Sequence, residues 1–327
     1  MKVLVLALDG VFDTGLAVVL DAFQTANELA EVSGLASPRF EVTIAGVRKA
    51  VKTSQGLTVP VTLVSKLDSR PDSRRSAPDW VVVPAIGFKM PGPLQAALAR
   101  PDISDAAVFL RKCAERGATM AAACIGTFVM AESGLLDDHD ATTTWWLAPL
   151  FRQRYPKVRL DESRMIVKSG KFVTAGAALS HMDLALSLIR QKSPRLAALV
   201  AKYLVVDSRP MQSAYVLTDH LAHSDPLVER FERWARGRLT SGFSLDDAAA
   251  TTGASKRTLA RRMQAVMGKS PLSYFQDLRV ERAVHLLKTT DEGVEAIASR
   301  VGYADGVTLR SLLRRRLGHG VKEIRAA

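Results

Sequence analysis

The chain has 327 residues, of which 47% are hydrophobic, and its formal net charge is +12. This length is greater than one domain usually needs and predicts two domains. Because no apolar run is long enough to cross a bilayer and two cysteines give no disulfide framework, we expect a cytoplasmic protein without a membrane partner.

The first part of the chain alternates short apolar runs with helical segments. Apolar runs predict strands at Val3–Leu8, Phe40–Gly46 and Trp80–Gly87, and a helical pattern covers Ile103–Glu115. A continuous apolar run such as the first suits a strand that is buried on both faces of a parallel sheet. The alternation therefore predicts an α/β domain with a doubly wound, flavodoxin-like parallel sheet over residues 1–190.

A sharp turn is predicted at Cys124, between a strand that ends at Ala123 and a helix that begins near Gly126. This arrangement is typical of a nucleophile elbow, and the helix dipole would favour the ionised form of a thiol placed there. A small buried residue that fills the turn also explains the pattern, because free cysteines are often core residues. From the spacing alone, we favour this second interpretation.

The segments around Cys124 resemble the PfpI-like, class I glutamine amidotransferase-like superfamily. They resemble in particular the GlxA-type regulators, in which such a domain precedes an AraC/XylS-type DNA-binding domain. The resemblance covers about residues 1–190. It is carried by Cys124 with Gly126, Ala131–Leu136, Ala141–Thr143, Trp145, Arg154–Pro156, Ala175–Gly176 and Asp183–Leu186.

Two departures from this family argue against catalysis. Relatives place a histidine beside the cysteine where this chain has Thr144, and an acid where it has Gly15. Threonine is not a base near neutral pH, so the thiol lacks its usual activator. His139 and His181 are interpreted as surface or core residues rather than as a base. We therefore expect no enzyme activity, with Cys124 as a vestigial catalytic candidate.

The resemblance implies that the first domain binds a small effector, such as an amino acid or a quaternary amine. Open α/β sheets bind ligands at the carboxyl ends of their strands, and the candidate ligand-binding residues are Cys124, Ile125 and Trp145. Trp145 and Trp146 could offer a cation–π surface. Adjacent residues on a strand face opposite sides, so core packing is favoured for at least one of them. No cofactor and no metal site is expected.

Residues 191–225 contain several proline steps and are interpreted as a connector, which an all-α domain follows over residues 226–327. Within that domain, Ser244–Gly253 predicts a short helix, and Ser255–Gly268 predicts a second helix with a basic outer face. This pairing is typical of a helix-turn-helix, whose second helix enters the major groove of DNA.

The helix pair occurs twice. Glu295–Gly302 predicts another short helix, and Asp305 can cap a second recognition helix. Pro271–Leu287 predicts a longer helix between the two pairs, which would set them roughly one turn of DNA apart. The predicted buried stripes are Leu259, Met263 and Val266 in the first recognition helix and Leu309, Leu313 and Leu317 in the second.

The outward faces of the two recognition helices carry the predicted DNA contacts. From residue 226 onward, 19 basic residues face 11 acidic ones, so +8 of the net charge lies in this domain. This excess is expected if phosphate contacts are concentrated there. The candidates are Lys256, Arg257, Thr258, Arg261 and Gln264 in the first helix, and Thr308, Arg310 and Arg314 in the second, with Arg315 and Arg316 adding to its charge.

This second domain resembles the AraC/XylS DNA-binding domain. The family usually has phenylalanine where this chain has Leu309 and Leu313, and Ser-Pro where it has Gly320–Val321. Leucine fills a core position of similar volume, so we expect the fold to be kept. The resemblance is carried by Ser255–Arg261, Gly268–Pro271, Leu278–Ala283, Glu295–Ala298 and Val301–Tyr303.

Together these features favour a transcriptional regulator that binds double-stranded promoter DNA in a sequence-specific way and responds to a small effector. We expect it to be a homodimer associated with the nucleoid. Two alternatives remain. One is a cysteine-dependent hydrolase or aldehyde-processing enzyme with an accessory DNA-binding domain, and the other is a nonspecific nucleoid protein.

Overall fold

The computed structural model describes residues 1–68, 77–207, 211–212 and 225–326. The chain divides into two compact units, Met1–Gln212 and Ser213–Ala327. The first is an α/β unit, and the second is helical. Of the predicted connector over residues 191–225, the segments 208–210 and 213–224 lie outside the described residues.

The first unit is built on a mostly parallel sheet. The strands of this unit are β1 (Lys2–Leu6), β2 (Glu41–Gly46), β3 (Ala50–Lys52), β4 (Thr58–Pro60), β5 (Thr62–Leu63), β6 (Trp80–Val83), β7 (Thr119–Ala123), β8 (Asp140–Ala141), β9 (Arg159–Leu160), β10 (Ile166–Ser169) and β11 (Phe172–Ala175). The main sheet has the order β10-β11-β7-β6-β1-β2-β5, and its pairs are parallel apart from β10 with β11. The strands β3 and β4 form one short separate pair, and β8 and β9 form another.

Helices follow the strands and cover both faces of the sheet. They are α1 (Asp13–Ser33), α2 (Val64–Asp68), α3 (Pro91–Leu98), α4 (Pro101–Glu115), α5 (Gly126–Glu132), α6 (Ala148–Arg154), α7 (Ser180–Lys192) and α8 (Pro194–Tyr203). A single turn of 3-10 helix spans Trp145–Leu147. The helix α8 lies in the sequence range interpreted as the connector, and its apolar side packs in the core of the first unit.

The sheet separates two hydrophobic cores. In β1, Leu4 and Leu6 pack into one core while Val3 and Val5 pack into the other, because successive residues of a strand point to opposite faces. Residues of α3, α4, α5 and α6 complete the first core, and residues of α1, α7 and α8 complete the second. The predicted doubly wound α/β fold, with a first strand buried on both faces, is therefore confirmed.

The second unit consists of short capped helices. They are α9 (Pro226–Arg236), α10 (Leu245–Thr252), α11 (Lys256–Met267), α12 (Pro271–Thr289), α13 (Val294–Arg300), α14 (Gly306–Leu317) and α15 (Val321–Ala326). The side chains of Ser244, Ser255 and Asp305 accept hydrogen bonds from backbone N–H groups in the first turns of α10, α11 and α14. The pairs α10–α11 and α13–α14 are the two predicted helix-turn-helix pairs.

The buried faces of the recognition helices α11 and α14 differ in part from the predicted stripes. Leu259 and Met263 are buried as predicted, but Met267 is buried where Val266 was expected, and Val266 is only half-buried. Met267 follows Met263 by four residues, and a helix with 3.6 residues per turn places both on nearly the same face. Met267 can therefore be buried beside Met263. In α14, the buried residues are Leu309, Leu312 and Leu313, whereas Leu317 is half-buried.

Gly302 follows α13 with a left-handed backbone, at φ 82°. A Cβ atom there would lie directly against the Leu239 carbonyl oxygen and the Arg279 guanidinium group. We expect Gly302→Ala to lower the free energy of unfolding by roughly 2–4 kcal/mol, because it introduces both backbone strain and steric overlap. Urea denaturation of the full chain measures this loss.

The matched control is Gly253→Ala. Gly253 is also left-handed, at φ 68°, but a Cβ atom there would meet no atom within 4 Å. This variant should lose only the backbone contribution, about 1 kcal/mol. Equal losses for the two variants would contradict the steric part of the argument.

Candidate functional site

Cys124 forms a strained turn between β7 and α5. Its φ of 54° lies in the left-handed region, which is uncommon for a residue with a side chain. Its N–H donates to the Ala175 carbonyl at 2.9 Å, and its carbonyl accepts from the Thr143 hydroxyl at 2.7 Å. No side chain fits at Gly126, because a Cβ atom there would overlap the Val83 carbonyl oxygen. The turn has the strand–turn–helix form of a nucleophile elbow.

The thiol of Cys124 is nevertheless in an environment that keeps it protonated. Only 3% of the residue is exposed. Burial raises the pKa of the thiol to about 12, against smaller opposing effects from the Ile125 backbone and the Thr144 hydroxyl. Thr144 thus lies beside the thiol, at the position where the sequence resemblance places a histidine. A hydroxyl group there can hydrogen-bond the sulfur, but it cannot remove the proton near neutral pH.

His181 fills the space that the missing side chain of Gly15 leaves. A Cβ atom at Gly15 would lie 2.6 Å from the His181 Nε2 atom. The ring is fully buried, and its Nε2 atom accepts from the Ala85 N–H at 3.0 Å while its Nδ1 atom lies 2.5 Å from the Ala178 carbonyl oxygen. Nδ1 must therefore carry the proton, so the ring is neutral. Burial lowers the pKa of His181 to about 4.

His139, the other histidine considered in this domain, lies elsewhere. Its ring is half-buried against Phe172, with the ring centroids 4.6 Å apart, and its Nδ1 atom is 3.1 Å from the Ser169 hydroxyl. These contacts hold it on the β10–β11 hairpin. Within the described residues, the hydrogen bonds of both rings go to groups other than the Cys124 sulfur, which agrees with interpreting both histidines as structural.

The three candidate ligand-binding residues are all buried. Cys124 and Ile125 are adjacent at the turn, and Trp145 follows Thr144 in the 3-10 helix with 7% of its surface exposed. Trp145 packs edge-on against Trp146 with ring centroids 5.5 Å apart, and the Trp146 indole N–H donates to the Lys89 carbonyl at 3.1 Å. An effector can touch these residues only if the structure around them opens.

Gln212 is a buried polar residue near this turn that the sequence did not single out. Its Nε2 group donates to the Thr143 carbonyl at 2.8 Å and to the Thr142 hydroxyl at 3.1 Å. Glutamine in a segment with proline steps gives no sequence signal of burial. Only the fold brings it to residues that precede it by about 70 positions.

The first recognition helix, α11, presents a basic face. Lys256, Arg257, Arg261 and Gln264 are exposed, whereas Thr258 is half-buried and bonded to the Ser255 cap. Lys256 pairs with Asp246 at 2.8 Å. Arg257 and Arg261 form no ion pair within the part of the chain that the structure describes, so both guanidinium groups remain available for phosphates or base edges.

The second recognition helix, α14, is more internally bonded. Thr308 is exposed and bonds the Asp305 cap, and Arg310 is exposed but pairs with Glu295 at 3.2 Å. Arg314 and Arg315 are exposed. The sequence did not single out Val307, which is 65% exposed on the same helix.

Arg316 does not belong to the outward charge of α14, contrary to the sequence interpretation. It is half-buried and pairs with Asp277 of α12 at 2.9 Å. It also donates to the Ser273 hydroxyl and the Gln276 side-chain carbonyl. Periodicity along α14 alone could not reveal this, because Asp277 precedes Arg316 by 39 positions in the sequence.

The helix α12 joins the two helix-turn-helix pairs. Its 19 residues span about 28 Å. Both recognition helices contact α12, and the side chains they bury are leucines and methionines. The helix α12 therefore helps to set the separation of the two helix-turn-helix pairs.

The chain thus combines a buried elbow on a doubly wound sheet with a second unit that holds two helix-turn-helix pairs. Residues 1–191 match the DJ-1/PfpI family, and residues 248–327 match a helix-turn-helix domain. The first match covers more than half of the chain, and the chain belongs to the DJ-1/PfpI family.

Several similar proteins are HTH-type transcriptional regulators. The chain is 26% identical to GbdR of Pseudomonas aeruginosa over 199 residues, which are 60% of this chain and 54% of GbdR. It therefore spans about half the length of that relative. It is 23% identical to GlxA of Rhizobium meliloti over 231 residues, which are 65% of this chain and 67% of GlxA.

A solved structure shares the fold. The crystal structure of an AraC family transcriptional regulator from Pseudomonas putida has a TM-score of 0.50 and 20% sequence identity, with 62% of this chain and 98% of that chain covered. In the described part of the present chain, no helix is long and apolar enough to cross a membrane. No group of three or more His, Cys, Asp or Glu side chains among the described residues could hold a metal ion.

The environment of Cys124 predicts an unreactive thiol. In the folded chain, iodoacetamide should leave Cys124 unmodified over hours at pH 7.5, because the thiolate is scarce and the sulfur is covered. Denaturant should make the residue react at the rate of an ordinary cysteine. Mass spectrometry of the labelled peptides measures both rates, and rapid labelling in the folded state would contradict the assignment.

His181 predicts a loss of stability in mild acid. The unfolded state binds the proton near pH 6.5 and the folded state only near pH 4, so the free energy of unfolding falls as the pH drops through this window. The contribution of this one group is about 3 kcal/mol. Urea denaturation between pH 7 and pH 4 measures it. His181→Gln should flatten the dependence, whereas His139→Gln should leave it unchanged, and identical slopes in all three proteins would refute the interpretation.

Proposed function

We propose that the protein is a sequence-specific, DNA-binding transcriptional regulator whose first unit binds a small nitrogen-containing effector. One observation carries this proposal: α11 buries an apolar face while Arg257 and Arg261 point away from the core without an ion pair among the described residues. The relatives named HTH-type transcriptional regulators support it.

DNA contact would be divided between the two recognition helices. Lys256, Arg257, Thr258, Arg261 and Gln264 would contact one groove segment, with the arginines reaching phosphates or guanine edges. Thr308, Arg310 and Arg314 would contact a second segment. Each helix holds one of these cations in an exposed ion pair, Lys256 with Asp246 and Arg310 with Glu295, which contact with DNA would have to replace.

The effector would bind at the Cys124 turn, close to Ile125 and Trp145, where the carboxyl ends of the parallel strands meet. No catalytic step is needed there, because a protonated thiol beside a threonine is a polar contact and not a nucleophile. The enzyme alternative is therefore not favoured. An effector that binds one conformation of the first unit more tightly would bias DNA binding through that difference in affinity.

We further propose that the regulator works as a homodimer on chromosomal DNA in the cytoplasm. Two copies would bind paired half-sites, and linking them raises the effective concentration of the second copy once the first has bound. A duplex with two half-sites should then bind two copies cooperatively, which sedimentation of the complex would measure.

The arginine pair gives the decisive test. Duplexes are first selected from a random pool by the full-length protein. Replacing Arg257 and Arg261 together by alanine should weaken binding to the selected duplex roughly hundredfold or more, because each contact contributes about 1–3 kcal/mol. The slope of log affinity against log salt should fall by up to about two.

Arg190→Ala with Arg195→Ala is the matched control. It removes the same charge from exposed positions of the first unit and should leave affinity within about twofold, since long-range charge effects are screened. Equal weakening by both pairs would reject the assigned contacts. Failure to select any common sequence would favour the nonspecific nucleoid protein instead.

A further inference from the structure

Gln212 ends the first unit, and its backbone is fastened to that unit. Its N–H donates to the Ser163 carbonyl at 2.8 Å, and Met211 forms an antiparallel bridge with Arg164. Only 1% of Gln212 is exposed. The chain that leads to the recognition helices therefore leaves the first unit from a docked, buried residue.

The side chain of Gln212 lies in a cradle of oxygen atoms. Its Nε2 group is 2.8 Å from the Thr143 carbonyl, 3.1 Å from the Thr142 hydroxyl and 3.3 Å from the Arg164 carbonyl. The absence of a side chain at Gly176 makes room for it, since a Cβ atom there would lie 2.5 Å from the Gln212 Oε1 atom. The cradle thus fits an amide group.

This cradle shares its wall with the Cys124 turn. Thr143 accepts from Gln212 through its carbonyl and donates through its hydroxyl to the Cys124 carbonyl at 2.7 Å. The next residue, Thr144, lies beside the thiol. One short loop therefore contacts the candidate effector site on one side and Gln212 on the other.

The docking of Gln212 is incomplete in one respect. Its Oε1 atom is buried and has no hydrogen-bond partner among the described residues. Exchanging the oxygen and nitrogen of the amide would not help, because it would bring the oxygen against three other oxygens. A buried acceptor without a donor costs free energy, so the docked state is held less firmly than its three contacts suggest.

We propose that Gln212 is an internal occupant of a carboxamide site, and that an effector bearing a primary carboxamide displaces it and undocks Gln212 from the first unit. This inference rests on the proposed function and narrows its effector class. The site offers acceptors but no carboxylate among the three oxygens that Gln212 contacts. A neutral N–H donor is therefore favoured over an ammonium ion, whose buried charge would lack a partner. A quaternary amine has no N–H and cannot replace the amide.

Displacement would act on the connector through population shift. An effector that binds only when Gln212 is undocked favours the undocked state by its full binding free energy at that site. The recognition helices themselves need not change. What changes is whether Gln212 is fastened to the first unit.

The test uses the full chain with Gln212→Ala, which vacates the cradle, and acetamide as the probe. Acetamide should raise the melting temperature of this variant by several degrees more than that of the unaltered protein, because only the variant has an empty site. Gln191→Ala is the control, since Gln191 is exposed on α7. An equal effect on all three proteins, or a larger effect of methylammonium or tetramethylammonium than of acetamide, would overturn the carboxamide site.

Hydrogen exchange measures the release. The backbone amide of residue 212 should exchange its hydrogen about tenfold faster in Gln212→Ala than in the unaltered protein. This is the change expected for the loss of about one net hydrogen bond. Gln212→Met, which keeps the volume but donates no hydrogen bond, should show the same increase, so a folding defect in one variant does not decide the result.

Unchanged exchange in both variants would overturn the proposed latch. That outcome would leave the regulator assignment standing if the Arg257 and Arg261 replacements still weaken DNA binding as expected. If residue 212 exchanges faster in both variants but the arginine replacements do not weaken DNA binding, the Gln212 site stands and the assigned DNA contacts are wrong.

Discussion

The left-handed backbone at Cys124 is the constraint on which the first unit depends. The turn from β7 to α5 is so sharp that position 126 lies against the Val83 carbonyl oxygen of the neighbouring strand β6. Only glycine fits there. The turn is held from two sides, by Ala175 and by Thr143. Strain of this kind persists only where the surrounding contacts determine it. Here those contacts also bury the thiol, so the geometry of a nucleophile is kept while its chemistry is suppressed.

The second unit uses its arginines in two distinct ways. Arg262 pairs with Asp225, which caps α9, and Arg279 donates to the Leu239 carbonyl while lying over Phe275. These side chains join helices to one another. Arg257 and Arg261 are exposed on α11 and, among the described residues, form no ion pair. The net charge of the unit therefore overstates the charge available to DNA, because part of it is already used within the fold.

Much of the fold could be predicted from local patterns. Apolar runs located the central strands, and Ser255, Asp305 and the glycines after the helices located the helix-turn-helix pairs. Contacts between distant segments could not be predicted in this way. Arg316 repeats the basic pattern of its helix yet pairs with Asp277, and His181 occupies space next to Gly15. The burial of Gln212 depends on residues about 70 positions earlier. Periodicity describes which face of an element is buried, but it does not identify the partner on the other side.

The packing of His181 against Gly15 also limits which side chains position 15 can accept. An acidic side chain at position 15 would have to occupy the volume that the imidazole now fills, since even a Cβ atom would lie 2.6 Å from the ring. The two side chains cannot occupy this volume at the same time. A single substitution at either position leaves an overlap or a void, so a larger side chain at position 15 requires a smaller one at position 181.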